Sequence, residues 1–438
     1  MLFELNTKDN RSKEQRKLLY DNATNRFYDF YTRQRLETHQ ATENKETQIP
    51  YYEEIYNPRY NLRNEEINVV IVLGLKCNLN CKYCGQKNMR SIVTLQEASP
   101  KKVNTFISML LQAKLPRIRS FTLWGGEPMV YWKTIRGLVP ELKKHFPKAK
   151  IGLTTNGTLL TKEKTDFLSL YKVDLAVSYD GSTSNRADES LLCNEQVVIA
   201  LRSLKRFGVM RTLNNVCVPY KEIQNELQKK GLNAFIAYHS IARAVPWHEQ
   251  ETINEIKVKD DKIREHQVLI YNNLKTNTER QLYDRYRALK QSIQEAWPID
   301  LVQFKHCEGH DGSKLTLDLD GNIYVCQGCP IEKIGRLSPD IDNSIDKSKP
   351  SKVLEHLLFR RSCLECFYVA ACCGGCQLVK ETDANDIFKI NCKNGKGLYL
   401  PLIVKAIEDI FDCSIESVKE YRTQKLIDKF NFLHEEQR

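Results

Sequence analysis

The sequence predicts an α/β fold: a partial, TIM-like barrel of six βα units, followed by a cysteine-rich domain that carries a β-hairpin and helices. Two observations carry this reading. Between residues 67 and 238, short β-branched runs alternate with longer amphipathic stretches, as strands and helices do around a parallel sheet. Past residue 300 that alternation gives way to closely spaced cysteines, from Cys307 to Cys392.

Taken in order, residues 1–66 are strongly charged and carry Tyr20, Ala23, Phe27, Phe30 and Tyr31 at roughly helical spacing. This predicts one amphipathic helix and then an irregular polar stretch, together an extension packed on the next domain. The candidate strands are Ile67–Leu75, Ser120–Trp124, Lys150–Thr155, Val173–Ser178, Gly208–Val216 and Leu232–Tyr238. Six units are too few to close an eight-stranded barrel, so this one should stay open. A helical stretch, Thr252–Ala296, completes the barrel region at 67–296. In the cysteine-rich domain, 297–397, Lys314–Asp318 and Asn322–Cys326 alternate around Asp320-Gly321, a turn dipeptide that marks a hairpin. Apolar positions at helical spacing from Leu400 to Phe411 open a charged helical tail, 398–438.

Composition narrows the class. Hydrophobic residues at 41% and charged residues at 28% describe a globular chain, and exclude collagen-like and fully disordered ones. The longest apolar run, Ile67–Leu75, is about half the roughly 20 residues that a membrane helix needs. The first residues lack the apolar core of a signal peptide, so a cytoplasmic location is expected. A net charge of +11 favours acidic partners, but no basic block with interleaved aromatics stands out, which argues against nucleic acid. Fifteen cysteines, an odd number without an export signal, point to metal ligation or thiol chemistry rather than disulfides.

Directly after the first strand stand Cys77, Cys81 and Cys84, in the spacing CxxxCxxC. Three thiolates suit a zinc with an open position, or an iron–sulfur cluster with one iron left free of protein. Zinc would want another ligand nearby, and the next candidates are His145 and Cys193, so iron–sulfur is favoured. The following strands end in Gly125-Gly126-Glu127-Pro128, Asn156-Gly157-Thr158 and Ser178-Tyr179-Asp180-Gly181. In a barrel of parallel strands these loops open on the same face as the cysteines, where active sites form.

With these motifs the sequence resembles the radical S-adenosylmethionine (SAM) enzymes, whose CxxxCxxC loop binds a 4Fe-4S cluster and whose GGEP loop lies against the methionine part of the cofactor. The resemblance implies that Cys77, Cys81 and Cys84 each bind an iron, while SAM chelates the fourth. Gly125, Gly126 and Glu127 would then contact its amino group and Tyr83 would lie beside the adenine. Asn156 and Ser178 occupy positions that touch SAM in this family, Ser178 at the ribose. Arg186 is a further candidate, weighed evenly against an ordinary solvent-exposed loop arginine.

The later cysteines, read by themselves, fit two zinc sites as well as two clusters. Their order also resembles SPASM, a C-terminal extension of radical SAM enzymes that modify peptides and proteins. That resemblance implies two auxiliary 4Fe-4S clusters, one on Cys363, Cys366, Cys372 and Cys392, the other on Cys307, Cys326 and Cys376. Sulfatase-maturing members carry a further cysteine and an aspartate where this chain has Leu301 and Gln327. The first auxiliary site therefore takes Cys329 as its fourth ligand, or a substrate group, or stays open, and the acidic base of sulfatase oxidation is missing. Cys193, Cys217 and Cys413 are left as buried structural thiols and Cys373, next to a ligand, is expected to point away from the cluster, while His306 and His310 flank Cys307.

The function expected from the resemblance is reductive cleavage of SAM and an oxidative crosslink, thioether or carbon–carbon, in a ribosomally synthesised precursor peptide, with a flavodoxin- or ferredoxin-type electron donor. The alternatives are a protein-directed maturase of the sulfatase-maturing type, a small-molecule radical SAM oxidoreductase, and, from another class, a zinc-dependent structural or nucleic-acid-binding protein. The first 66 residues offer no alternating strands of the kind a leader-binding domain would need.

Overall fold

Stiff β-branched side chains suit a pleated, half-buried surface, and the runs that carry them here form strands. A computed structural model describes residues 1–38, 66–92, 97–181, 191–215, 218–276, 279–297, 313–346, 354–355 and 359–434. In chain order the strands are β1 (Leu2–Asp9), β2 (Gln15–Asp21), β3 (Arg26–Asp29), β4 (Arg35–Leu36), β5 (Glu66–Val72), β6 (Arg117–Trp124), β7 (Lys150–Thr155), β8 (Val173–Ser178), β9 (Phe207–Leu213), β10 (Ala234–Ile241), β11 (Lys314–Asp318), β12 (Asn322–Cys326), β13 (Cys329–Arg336), β14 (Cys413–Glu420) and β15 (Leu426–Lys429). The chain divides into two units, one of Met1–Pro50, Val258–His306 and Glu355–Arg438, the other of Tyr51–Lys257 and Cys307–Leu354.

The second of these holds a nine-stranded sheet in the order β10-β9-β8-β7-β6-β5-β11-β12-β13. β5 to β10 run parallel, each beside the next. Helices at Val103–Gln112, Trp132–His145, Lys162–Leu170, Glu195–Arg202 and Tyr220–Lys229 join them in turn. This is the expected series of six βα units, with β7 and β8 matching their expected bounds. Within Trp132–His145, Ile135, Leu138, Val139 and Leu142 are buried at the three- and four-residue spacing of one helix face.

The expected hairpin is present, and it continues this sheet: β11 lies parallel to β5, from Lys314 opposite Asn68 to Asp318 opposite Val72. The buried carboxylate of Asp318 fixes the turn by accepting from the Asp320 and Asn322 amides at 2.9 Å each, and from Asn322 Nδ2 and the Tyr324 hydroxyl at 2.7 Å each. Gly321 supplies the positive φ of +78° that the turn requires.

The other unit corrects two expectations. Instead of a helix, the N-terminal residues form β1 to β4, and instead of a helical tail, the residues after Asp412 form β14 and β15. All six make one antiparallel sheet, β15-β14-β1-β2-β3-β4. Tyr20 and Phe27 look helically spaced because a hairpin sets them opposite each other on β2 and β3, with ring centroids 4.8 Å apart. Leu400 to Phe411 do lie in a helix, Ile387–Phe411, which packs on the helix Asp260–Thr276; together with Gln250–Ile256 and Arg280–Gln294, the latter realises the helical stretch expected at 252–296. No helix among the described residues is long and apolar enough to cross a membrane.

Candidate metal and cofactor centres

The pairing of β5 with β6 does not stop where the strands end. The Leu73 amide donates to the Trp124 carbonyl at 2.8 Å, Gly126 to Gly74 at 3.0 Å and Glu127 to Lys76 at 2.8 Å, so the GGEP loop is laced to the residues leading into Cys77. This close approach requires the glycines. A Cβ on Gly125 would lie 2.5 Å from the Gly74 carbonyl oxygen, and one on Gly126 would lie 2.3 Å from that of Leu75. The Tyr131 hydroxyl secures the other side by accepting from the Lys76 amide at 2.9 Å while donating to Glu97.

Cys77, Cys81 and Cys84 are half-buried. Burial raises the Cys84 thiol, and the charges of Cys81 and Cys77 add to that rise, so the three sulfurs share one neighbourhood. His248 steadies the loop from behind. Its Nδ1 accepts the Val245 amide at 3.3 Å, which leaves Nε2 as the donor to the Cys84 carbonyl at 3.1 Å, and burial lowers its pKa to about 4, so the ring is neutral near pH 7. Within the same loop Gln86 Nε2 and Arg90 Nε are buried donors with no hydrogen-bond partner among the described residues, which fits a site whose acceptors arrive with a bound group.

The candidate SAM residues converge on this loop. Glu127 is 1% exposed, and its carboxylate accepts from the Met129 amide at 2.9 Å, Thr155 Oγ1 at 2.6 Å and the Asn156 amide at 2.7 Å, thereby joining the loops after β6 and β7. Asn156 Nδ2 lies 3.0 Å from Asn78 Oδ1 and 4.0 Å from Cys77 Sγ. The Tyr83 hydroxyl bonds the carboxylate of Asp180, which also accepts the Thr212 amide at 2.8 Å, linking the cysteine loop to the loop after β8 and to β9. Ser178 ends β8, two residues before Asp180. Arg186 lies outside the described residues.

Of the later cysteines, the second field, Cys363 to Cys392, belongs to the other unit, while Cys326 stays in the unit of the parallel sheet. Cys363, Cys366, Cys372 and Cys392 gather around Tyr368, which feels the charge of all four and donates its hydroxyl to the Cys392 carbonyl at 2.8 Å. Burial pushes Cys363 and Cys366 up to about 12 and Cys392 up to about 11, and also raises Cys372 well above the usual thiol value. Thiolates in such a place need positive charge, which bound iron would supply. The N-terminal sheet supports this field. Asn22 Nδ2 donates to the carbonyls of Leu364 at 3.0 Å and Cys366 at 2.9 Å, and the Phe367 ring lies 5.5 Å from Phe3 and 5.8 Å from Tyr20.

Of the remaining thiols, Cys326 pairs in register with Cys329 across the turn Gln327-Gly328, and the Gly328 amide points at Cys326 Sγ from 3.3 Å. Cys376 follows the turn at Gly374-Gly375, with its carbonyl held by Arg360 at 3.3 Å. Cys307, Cys217, Leu301, His306, His310 and the side chain of Cys329 lie outside the described residues. Among those described, no three His, Cys, Asp or Glu side chains converge as ligands of one ion do; a cluster spreads its thiolates over separate irons.

Residues 71–229 match the radical SAM superfamily. They form a radical SAM domain. Such domains use a 4Fe-4S cluster and SAM, and the donor set of the Cys77 loop fits them. Three relatives resemble part of this chain. The radical SAM cyclopropyl synthase TigE of Paramaledivibacter caminithermalis is 27% identical over 31% of this chain and 32% of its own. The FeMo cofactor biosynthesis protein NifB of Rhizobium leguminosarum bv. trifolii is 20% identical over 34% of this chain and 35% of its own. Molybdenum cofactor biosynthesis protein 1 of Dictyostelium discoideum is 33% identical over 30% and 20%. The matches to TigE and NifB thus span about a third of those proteins. Among solved structures, native anSMEcpe with bound AdoMet shares the fold at a TM-score of 0.58 and 17% identity, over 79% of this chain and 99% of that one. The same protein with bound AdoMet and Cp18Cys peptide matches equally, at 0.58.

Around the radical SAM domain's cysteine loop, sequence reasoning missed Tyr131, Asp180 and His248; around the second field it missed Asn22 and Arg360. Only Asp180 stood inside a motif already singled out. Tyr131, His248 and Asn22 act from tens or hundreds of residues away, with no local signal, and Arg360, three residues before Cys363, stood in no motif that the spacing singles out.

Proposed function

We propose that this chain is a radical SAM peptide maturase that forms an oxidative crosslink, a thioether or carbon–carbon bond, in a ribosomally synthesised precursor peptide. The observation that carries the reading is a second gathering of thiols, the buried Cys363 and the half-buried Cys366, Cys372 and Cys392 around Tyr368, in a chain that also has a radical SAM domain. In this reading Cys77, Cys81 and Cys84 hold the SAM-binding cluster, and the four gathered thiols hold an auxiliary 4Fe-4S cluster. Cys307, Cys326 and Cys376 hold another, for which the register of Cys326 with Cys329 favours Cys329 as the fourth ligand. When bound, the first cluster and SAM supply a 5′-deoxyadenosyl radical.

The protein's own part is orientation. Gly125, Gly126 and Glu127 set the edge against which the methionine end of SAM rests, Tyr83 and Ser178 bound the adenosine end, and Asn156 sits between that edge and Cys77, with Arg186 a further contact. One crosslink removes two hydrogens from the peptide, one as an atom to the radical and one as a proton whose electron passes to an acceptor. The fold likeness to a protein solved with a bound peptide supports a peptide substrate, and Gln327 speaks against the sulfatase-type reaction. A charge of +11 suits an acidic leader peptide or an acidic flavodoxin- or ferredoxin-type donor in the cytoplasm.

With dithionite and SAM the enzyme should release 5′-deoxyadenosine, and changing Cys77, Cys81 and Cys84 together to Ala should abolish it. Co-expression with its precursor peptide should give a product about 2 Da lighter per link. An unchanged peptide mass, or a gain of about 14 Da as in methyl transfer, would count against crosslinking.

A further inference from the structure

Arg360 is the largest fully buried side chain among the described residues, with no exposed surface. A guanidinium so placed must spend its donors on protein acceptors. It does so at four points. Nε donates to Glu355 Oε2 at 2.9 Å, Nη1 to the Gly374 carbonyl, and Nη2 to the carbonyls of Cys376, at 3.3 Å, and Val379. Its own carbonyl accepts the Cys363 and Leu364 amides at 3.0 and 3.3 Å. One residue thus grips the turn that begins at Cys363 with its main chain and the loop that carries Cys376 with its side chain. Its guanidinium lies against the main chain of Cys376, with Nη2 3.3 Å from that carbonyl, so it sets charge beside the loop of a proposed ligand. The Glu355 carboxylate is bonded as well to the Glu381 amide at 2.7 Å, so the pair is pinned rather than mobile.

We propose that Arg360 is the positioning residue of the auxiliary centres, holding the Cys363 turn and the Cys376 loop in one geometry through a guanidinium that Glu355 fixes in place. The inference rests on the reading that both thiol sets carry clusters. A positive charge close to an anionic cluster favours its reduced form, and a planar fork bonded to three carbonyls fixes a loop in a way that an ammonium cannot.

The test compares Arg360→Lys with Arg360→Gln in the anaerobically reconstituted full chain, measuring iron, sulfide and the midpoint potentials of the auxiliary signals by electron paramagnetic resonance. Wild type should bind about twelve irons, and both variants about eight, as the cluster that uses Cys376 is lost. The remaining auxiliary signal should keep its potential in the Lys variant and move to a more negative one in the Gln variant. Unchanged iron in both variants would overturn the proposal, as would equal potentials for the two. Loss of all auxiliary iron with a collapse in Tm would also overturn it, because Arg360 would then be a residue of the fold rather than of the centres. A wild type that binds only about four irons would instead remove the reading beneath it.

Discussion

The Gly126→Ala substitution tests whether the GGEP loop and the cysteine loop must touch. The new methyl would lie 2.3 Å from the Leu75 carbonyl oxygen and 2.5 Å from that of Lys76, and both are backbone atoms that no rotamer change can move aside. Reaching ordinary contact, about 3.4 Å, requires the two loops to part by about 1.1 Å or more. That separation stretches the Gly126 to Gly74 and Glu127 to Lys76 hydrogen bonds, now 3.0 and 2.8 Å. At about 1 kcal/mol each they contribute about 2 kcal/mol, and overpacking adds about 1–3 kcal/mol. The variant therefore loses about 3–5 kcal/mol in all, part in the stretched hydrogen bonds and part in the crowding that remains, and the loops part. Because Cys77 follows Lys76 directly, the cluster loop shifts with them, and a misplacement of about 1 Å costs a reacting site about 100-fold. The assay is 5′-deoxyadenosine formation under dithionite, with Tm and iron content read in parallel. Gly137→Ala is the control: this helical glycine is exposed, its Cβ would meet only a Val103 methyl at 3.8 Å, and the variant should keep full activity. A Gly126→Ala enzyme with wild-type rate and Tm would refute the reasoning.

Changing Cys363 and Cys366 to Ala should spare uncoupled SAM cleavage but stop product formation, as measured by the peptide's mass, because in the proposed reading those thiols serve only an auxiliary cluster. Asp318→Ala should destabilise the hairpin by about 2–4 kcal/mol in denaturant unfolding, since it strands several donors that converge on one buried carboxylate, Tyr324 among them. Asp318→Asn should recover part of that loss, because its remaining carbonyl still accepts the turn amides.

The barrel was legible because its signals are local. A parallel strand buried on both faces reads as a β-branched run, as Val69 to Val72 of β5 do, while Lys150–Thr155 and Val173–Ser178, which alternate in burial, could be bounded to the residue because turn residues follow each of them. The hairpin was legible through Asp320-Gly321, but not its place beside β5, since a strand does not encode which edge it will extend. The terminal sheet was misread for a related reason. Tyr20, Phe27 and Tyr31 fit a helical stripe by spacing, while the polar runs Asp9-Asn10-Arg11-Ser12 and Asp21-Asn22-Ala23-Thr24-Asn25 between apolar segments were its hairpin turns. The strand β14, which pairs with β1 from Phe3 opposite Glu420 to Asp9 opposite Cys413, comes from the far end of the chain, where no window of sequence reaches.

The same distinction separates the two thiol fields. The Cys77 loop is held chiefly by backbone bonding to the GGEP loop, and backbone needs only glycines at the points of approach, so its requirements are written in short motifs. The second field is held by buried side chains: from the N-terminal sheet the Asn22 amide on the carbonyls of Leu364 and Cys366, and Phe3 and Tyr20 against Phe367; from just before Cys363, the Arg360 fork on the Cys376 loop. A buried amide or guanidinium stabilises a loop only if every donor finds its acceptor, and those acceptors are main-chain carbonyls that any sequence supplies. The cysteines of the second field could therefore be found by their spacing, whereas the residues that shape it could be found only once the chain had folded.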